Sequence, residues 1–231
     1  MFTQTIQRSV LGGCLLWAVG VAAAYGLEQV RVEAWVGQGP HRALLVVDFW
    51  PYNGAADSFA FGCRFEAAQF TGLDLLDAVQ GANIGFAYAH ASGFVTDFWY
   101  LKNGHMYHTG YQWPQAYWSY WLSTDWGQSW EYAPVGPAGR VLQDGETDGW
   151  LAKPGYDPDS EPVTPLHIAG DLNCDGRVDF GDINPFVLGL SNPAGYVLEF
   201  PNCRLLNGDI NGDGRFDFGD INAFVALLTN P

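Results

Sequence analysis

The sequence predicts a mostly β N-terminal domain with one main helix, an α+β arrangement, followed by a small all-α module of two loop-helix repeats. Three observations predict it. Short apolar runs punctuated by Gly, Pro and Asp fill residues 27–152. A D-x-N-x-D-G motif occurs twice near the C-terminus. A Pro-rich stretch over 153–169 divides the two parts.

Composition agrees. The 231-residue chain is 48% hydrophobic with 29 Gly and 13 Pro, the mix of a turn-rich β protein rather than a helix bundle or a disordered chain. Net charge is −15, and the ten Lys and Arg do not cluster in the sequence, which argues against a nucleic-acid partner.

Residues 1–26 read as an export signal. Arg8 is the one charge, residues 10–24 are apolar and small, and Ala22-Ala23-Ala24 offers a small-residue cleavage site. No later segment is long and apolar enough to span a bilayer. The mature chain is expected to be secreted or at the cell surface. Three cysteines remain there, and in an oxidising compartment one pair is expected. Cys174 and Cys203 share the C-terminal part and are the assigned pair, which leaves Cys63 as a buried thiol.

In the larger domain, Val30, Val32, Ala34 and Val36 alternate, predicting a strand over 29–36. "ALLVVDFW" (43–50) is nearly continuous and reads as a central strand covered on both faces. Residues 58–65 make another. Thr71 reads as a helix N-cap with Asp74 closing the cap; Leu73, Leu76 and Val79 form the buried stripe, and Gly81 ends the helix. Ile84, Phe86 and Tyr88 alternate as a strand. "FWYLKNGHMYH" is a hairpin turning at Asn103-Gly104. "AYWSYWLSTDWGQSWEY" (116–132) is a second hairpin, followed by the turn-like "QDGETDG" between Val141-Leu142 and Trp150-Leu151.

The C-terminal repeat starts at Asp171 and again at Asp209, thirty-eight positions later. Its chemistry is that of an EF-hand-like calcium loop, because a hard cation takes six to eight oxygens. Asp171, Asn173 and Asp175 supply side-chain oxygens, Gly176 makes the sharp turn, Arg177 offers its carbonyl, Asp179 acts through water, and Asp182 closes the shell. Asp209, Asn211, Asp213, Gly214, Arg215, Asp217 and Asp220 repeat the set. Two calcium ions are therefore expected, since so many carboxylates in one loop repel one another without a cation. A short amphipathic helix follows each loop: Ile183, Phe186, Val187, Leu190, and then Ile221, Phe224, Val225, Leu228. Val178 and Phe216, at loop position 8, are expected to point inward, and neither loop has an entering helix.

Over residues 170–231 the chain resembles the type I dockerin family. The resemblance implies a calcium-dependent module that binds a cohesin-like protein. At loop positions 10 and 11, where dockerin recognition commonly uses polar residues, this chain has Phe180-Gly181 and Phe218-Gly219. Through "TGLDLLDAV", "YWSYWLSTDWGQSW" and "LQDGETDGW", residues 43–150 resemble the transcobalamin-like domain family. That resemblance implies a small β-rich fold with one main helix and admits a corrinoid or tetrapyrrole ligand.

In the aromatic hairpin, alternation places Trp118, Tyr120 and Leu122 on one face, the better core. Tyr117 and Trp121, with Trp126 from the turn, read either as more core or as a platform for a glycan or a tetrapyrrole ring. His105 and His108 fall on opposite faces of a strand, and His90 is isolated. Asp48 and Glu66 are candidates for the paired carboxylates of a glycosidase, though isolated acids usually belong to a solvated surface. No nucleophile elbow, H-E-x-x-H or phosphate loop occurs. The expected protein is a secreted, non-catalytic binding or adaptor protein, in which the calcium module stabilises or tethers the β-rich domain. The alternative is a glycan-binding component docked to a scaffold, or a corrinoid-binding surface protein.

Overall fold

The computed structural model describes residues 26–49, 58–66, 68–102, 104–109, 116–154, 160–201 and 203–229. Residues 1–25 of the expected export signal, Trp50, Asn103 and residues 155–159 of the expected linker lie outside them.

The larger part is built on two sheets. The strands are β1 Val32–Gly37, β2 His41–Asp48, β3 Ser58–Phe65, β4 Phe86–Ala91, β5 Phe94–Lys102, β6 His105–Tyr107, β7 Ala116–Ser123, β8 Glu131–Tyr132 and β9 Thr147–Pro154. The first sheet runs β1-β3-β2-β9-β7-β8; the second runs β4-β5-β6. Helix α1, Gly72–Gly81, packs between them.

The apolar run of β2 is central, between β3 and β9, and Leu44, Leu45, Val46 and Val47 are fully buried. Alternation sends Leu45 and Val47 into the main core with Phe61, Leu76, Phe98 and Trp150, while Leu44 and Val46 meet Trp126, Trp130 and Leu166 on the opposite face. A strand buried on both faces has no polar position to alternate with, which is why its sequence is continuous.

Helix α1 starts as expected. The Asp74 amide donates to Thr71 Oγ1 (3.1 Å) and the Thr71 amide to Asp74 Oδ2 (2.8 Å). Its buried stripe is Leu75, Leu76 and Val79, with Leu73 only half-buried. The first strand begins later than expected, because residues 27–29 form a 3-10 turn. The Asn103-Gly104 hairpin pairs Lys102 with His105, and Gly104 takes φ +77.

Two expectations change. Lys153 and Pro154 end β9 rather than start a linker. Beyond the undescribed residues, the chain does not stand apart but lies back on the larger domain as a strap. The Val163 amide donates to Asp48 Oδ2 (2.9 Å), Ser58 Oγ to the Val163 carbonyl, and Thr164 Oγ1 to Gly127 O (2.7 Å). The Arg31 amide donates to Pro165 O (2.8 Å) and the His167 amide to Gln29 O (2.9 Å), closing a bridge between Val30 and Leu166. Proline lacks an N–H but keeps its carbonyl, so a Pro-rich segment can accept from an edge strand.

The C-terminal part contains α2 Ile183–Ser191, α3 Pro193–Glu199 and α4 Ile221–Thr229. Helix α3 was not expected; Asn192 caps it, accepting from Gly195 N (3.0 Å), with Pro193 in its first turn. Phe186 and Phe224 stack face to face, centroids 4.2 Å apart, above Leu172 and Tyr196. Val178 and Phe216 pack into this cluster. Ile183, Val187, Ile221 and Val225, expected on the buried stripes, are exposed instead. So small a module buries one ring from each repeat and leaves the flanks of both helices in water.

Candidate metal centre and aromatic face

Each loop is wired by its own amides onto its carboxylates. In loop 1 (171–182) the Leu172 and Asn173 amides donate to Asp182 Oδ1 (2.8 and 3.0 Å) and the Asp179 amide to Asp182 Oδ2 (2.9 Å). Asp171 accepts from the amides of Asp175 (3.2 Å) and Gly176 (3.0 Å). Asn173 Oδ1 accepts from Asp175 N and Asp175 Oδ1 from Arg177 N. Loop 2 (209–220) repeats the pattern: Ile210, Asn211 and Asp217 onto Asp220, Asp213 and Gly214 onto Asp209, and Arg215 onto Asp213. Asp179 and Asp217 each cap the short 3-10 turn that follows, accepting from Gly181 and Gly219. The wiring bends the backbone around the acidic side chains, so the position 1, 3, 5, 9 and 12 residues belong to one turn of chain in each loop.

The donor set is all oxygen, the chemistry of a hard cation. Asp182 and Asp220 are fully buried, and Asp171 nearly so. Burial dominates at Asp171 and, despite the Gly176 amide and Arg31, pushes its carboxyl up to about 6, with Asp182 and Asp175 adding to the rise. Burial raises Asp182 as well, against the Asp179, Asn173 and Leu172 amides. Buried carboxylates raised in this way are short of positive charge, which a divalent ion would supply. Among the described residues no three acidic, His or Cys groups converge as a cluster.

Cys174 and Cys203 form the expected disulfide, Cα–Cα 5.7 Å, joining loop 1 to the segment before loop 2. Cys63 is buried and unpaired, and burial pushes its thiol up to about 11. One participant escaped the sequence. Arg31, buried beneath the module, donates from Nη1 to the Cys174 carbonyl (3.1 Å) and sits 3.7 Å from Asp171 Oδ2. Arg31 and Cys174 are 143 positions apart, and nothing local to either signals the contact.

The aromatic hairpin divides differently from the expectation. Trp118 packs edge-on to Phe98 (4.6 Å) and Phe49 (5.5 Å), and Tyr120 stacks on Trp150 (4.4 Å) while donating to Asp148 Oδ2 (2.6 Å). Both are core, as expected. Trp121, a platform candidate, is only 4% exposed: its Nε1 donates to Ser119 Oγ (2.9 Å) and Tyr132 closes over it edge-on. Its face is taken up by packing, so it offers no open platform. Tyr117 and Trp126 are half-buried, and Arg42 lies over the Trp126 ring at 5.5 Å.

His108 bonds Asp97 Oδ2 (2.8 Å) and stacks on Trp99, while His105 packs edge-on to Tyr107 and His90 stacks on Tyr88. Asp48 and Glu66 lie at opposite ends of the β2-β3 ladder, with Asp48 opposite Ser58 and Phe65 opposite His41. Seven steps of roughly 3.4 Å separate those ends, far beyond the ~5–9.5 Å of a glycosidase pair. No helix among the described residues is long and apolar enough to cross a membrane. Comparisons with protein-family models, curated proteins and solved structures find no match to this chain.

Proposed function

We propose that the chain is a secreted, non-catalytic binding or adaptor protein whose C-terminal module takes two calcium ions, as a dockerin-like module would. The duplicated wiring carries this reading: two loops of the same sequence pattern direct the same amides onto the same acidic positions, and each buries its position-12 carboxylate. A turn of Asp, Asn and Gly with no cation to hold has no reason to bury those charges twice.

The module's outer surface supports a protein partner. Phe180 and Phe218, each 75% exposed, head two matching apolar strips completed by Ile183 with Val187 and by Ile221 with Val225. Exposed apolar patches of this kind mark interaction surfaces, and a cohesin-like protein is the partner the dockerin resemblance implies. The leader and the disulfide support an extracytoplasmic location. The larger domain, β-rich with one main helix, would be the recognition element, on a transcobalamin-like plan.

Calcium titration of the full chain by calorimetry, paired with near-UV circular dichroism, tests the proposal. Two bound ions and sharpened aromatic signals are expected. Absence of binding heat, with spectra unchanged by chelator, would sink it.

A further inference from the structure

The six-stranded sheet ends, at its β1 edge, in a row of rings and guanidinium groups. Trp35 pairs with Gly62 across β1 and β3, and Arg42 pairs with Arg64 across β2 and β3. The Trp35 ring lies against Gly62, where a Cβ would come within 2.4 Å of it. Arg64 sits 5.6 Å from the Trp35 ring and Arg42 5.5 Å from that of Trp126. The order along the row is Trp126, Arg42, Arg64, Trp35. Trp35, Arg42 and Arg64 line a cleft of about 650 Å³ between the sheet edge and the calcium module, and Arg204 enters it from the module side.

The charge in this cleft is out of keeping with the molecule. The chain carries −15 overall with ten Lys and Arg, and three of those ten meet here. Among the described residues, no carboxylate lies within ion-pairing distance of the Arg42, Arg64 or Arg204 guanidinium, although Asp144 Oδ1 accepts from the Arg42 backbone amide (2.7 Å). Two acids share the wall. Glu33 is buried and already matched by Lys102 (2.9 Å) and Arg31 (3.9 Å). Glu28 is left, its carbonyl accepting from Arg204 Nη1 (3.0 Å). Like charges directly opposite across a ladder are destabilising, so the Arg42–Arg64 pair costs stability unless an anion sits between them. His167, also on the wall, registers the same field: burial first, then Arg204 and Arg31, lower its imidazole to about 4.

We propose that this cleft binds a carboxylated sugar: a uronic acid or a short oligosaccharide of them. Paired guanidinium groups recognise a carboxylate in bidentate fashion. Trp35, 41% exposed beside them, supplies a broad apolar ring for the C–H face of a pyranose. The cleft falls within the ~300–1,000 Å³ of small-ligand sites, which suits one to three rings. A long polyanion is disfavoured, because the rest of this acidic surface repels it. The inference rests on reading the larger domain as the recognition element and does not depend on calcium.

The test is calorimetric titration of the calcium-loaded full chain with digalacturonate at low salt, beside lactose, acetate, inorganic phosphate and a tetra-aspartate peptide. Digalacturonate should bind at least ten-fold more tightly than each of the others. Arg64→Gln should weaken it at least ten-fold and Trp35→Ala at least five-fold; both side chains are exposed, so circular dichroism and calcium titration should stay as in the parent. No digalacturonate heat from a chain that titrates normally with calcium overturns the inference and leaves the calcium reading standing. Equal binding of lactose, or of acetate, phosphate or the peptide, also overturns it, as does an unaffected Arg64→Gln variant. Sugar binding in a chain that takes no calcium would support it while breaking the calcium reading.

Discussion

The two acidic loops are alike within and unlike in their surroundings. Their amides reach Asp182 and Asp220 at distances matching to within about a tenth of an ångström. Yet Asp171 is buried with Arg31 at its side, while Asp209 is half-exposed. The fourth position differs too. Both loops need a left-handed residue there, which loop 2 supplies as Gly212 at φ +76 and loop 1 as Cys174 at φ 55. Glycine reaches that region without steric cost and cysteine does not, so in loop 1 the need for a disulfide overrides the need for a relaxed turn. The comparison teaches that a repeat specifies its internal wiring, while what each copy leans on is settled by the rest of the fold.

The sharpest way to break the comparison is to remove a position-12 carboxylate. Asp182→Ala and Asp220→Ala should each weaken calcium binding at their own loop by about 100-fold or more and leave the other loop near parental affinity. Calorimetry should then count one ion instead of two; two ions in either variant would show that the wiring does not predict the site. Next in size is the disulfide. Replacing Cys174 and Cys203 by Ser should lower stability by about 3–4 kcal/mol on loop-closure grounds, read as a urea midpoint with calcium present. Arg31→Met should cost about 2–3 kcal/mol by leaving the buried Asp171 without its neighbouring cation, and should change calcium affinity at loop 1 only. An equal change at loop 2 would mean that Arg31 acts on the whole module. Gly212→Ala should cost about 1–2 kcal/mol, whereas Cys174→Gly in the disulfide-free background should recover about 1 kcal/mol.

An effect of similar, small size is a pH dependence on the loop 1 side. His167 titrates at about 4 when folded, below its ordinary value near 6.5, so the unfolded chain takes up a proton that the folded chain refuses. The stability is present above pH 6.5 and lost as pH falls from there to 4. After discounting for the solvent that reaches the ring, it amounts to less than about 1.5 kcal/mol. His167→Gln should flatten that slope in acid-unfolding measurements.

The sequence made legible whatever was periodic or local. Continuous apolar letters gave β2, a capping pair gave the start of α1, and Asn-Gly gave the β5-β6 hairpin. The acidic repeat gave both loops, down to the inward position-8 residues. Facing within a short amphipathic helix was harder: Val187 and Val225 fit the periodicity as well as Phe186 and Phe224, and only the Phe-on-Phe stack decides which are covered. Long-range contacts were not legible at all. Arg31 against loop 1, the strap against residues 29–31, and the closure of Trp121 by Ser119 and Tyr132 are set by tertiary packing. The arginine row was hidden for a related reason, since Arg42 and Arg64 are 22 residues apart in the chain and become neighbours only by strand pairing.

The strap has a mechanical consequence. If the module is held by a partner while the larger domain is pulled away, tension enters the chain through residues 163–167. It must first detach Arg31 from Pro165 and Cys174, His167 from Gln29, Thr164 from Gly127, and Val163 from Ser58 and Asp48 before it can load β9. These few bonds can yield one after another, whereas the β7-β9 ladder, with eight paired positions, must give way together. The segment would therefore serve as a release length, lengthening under load before either folded part is strained.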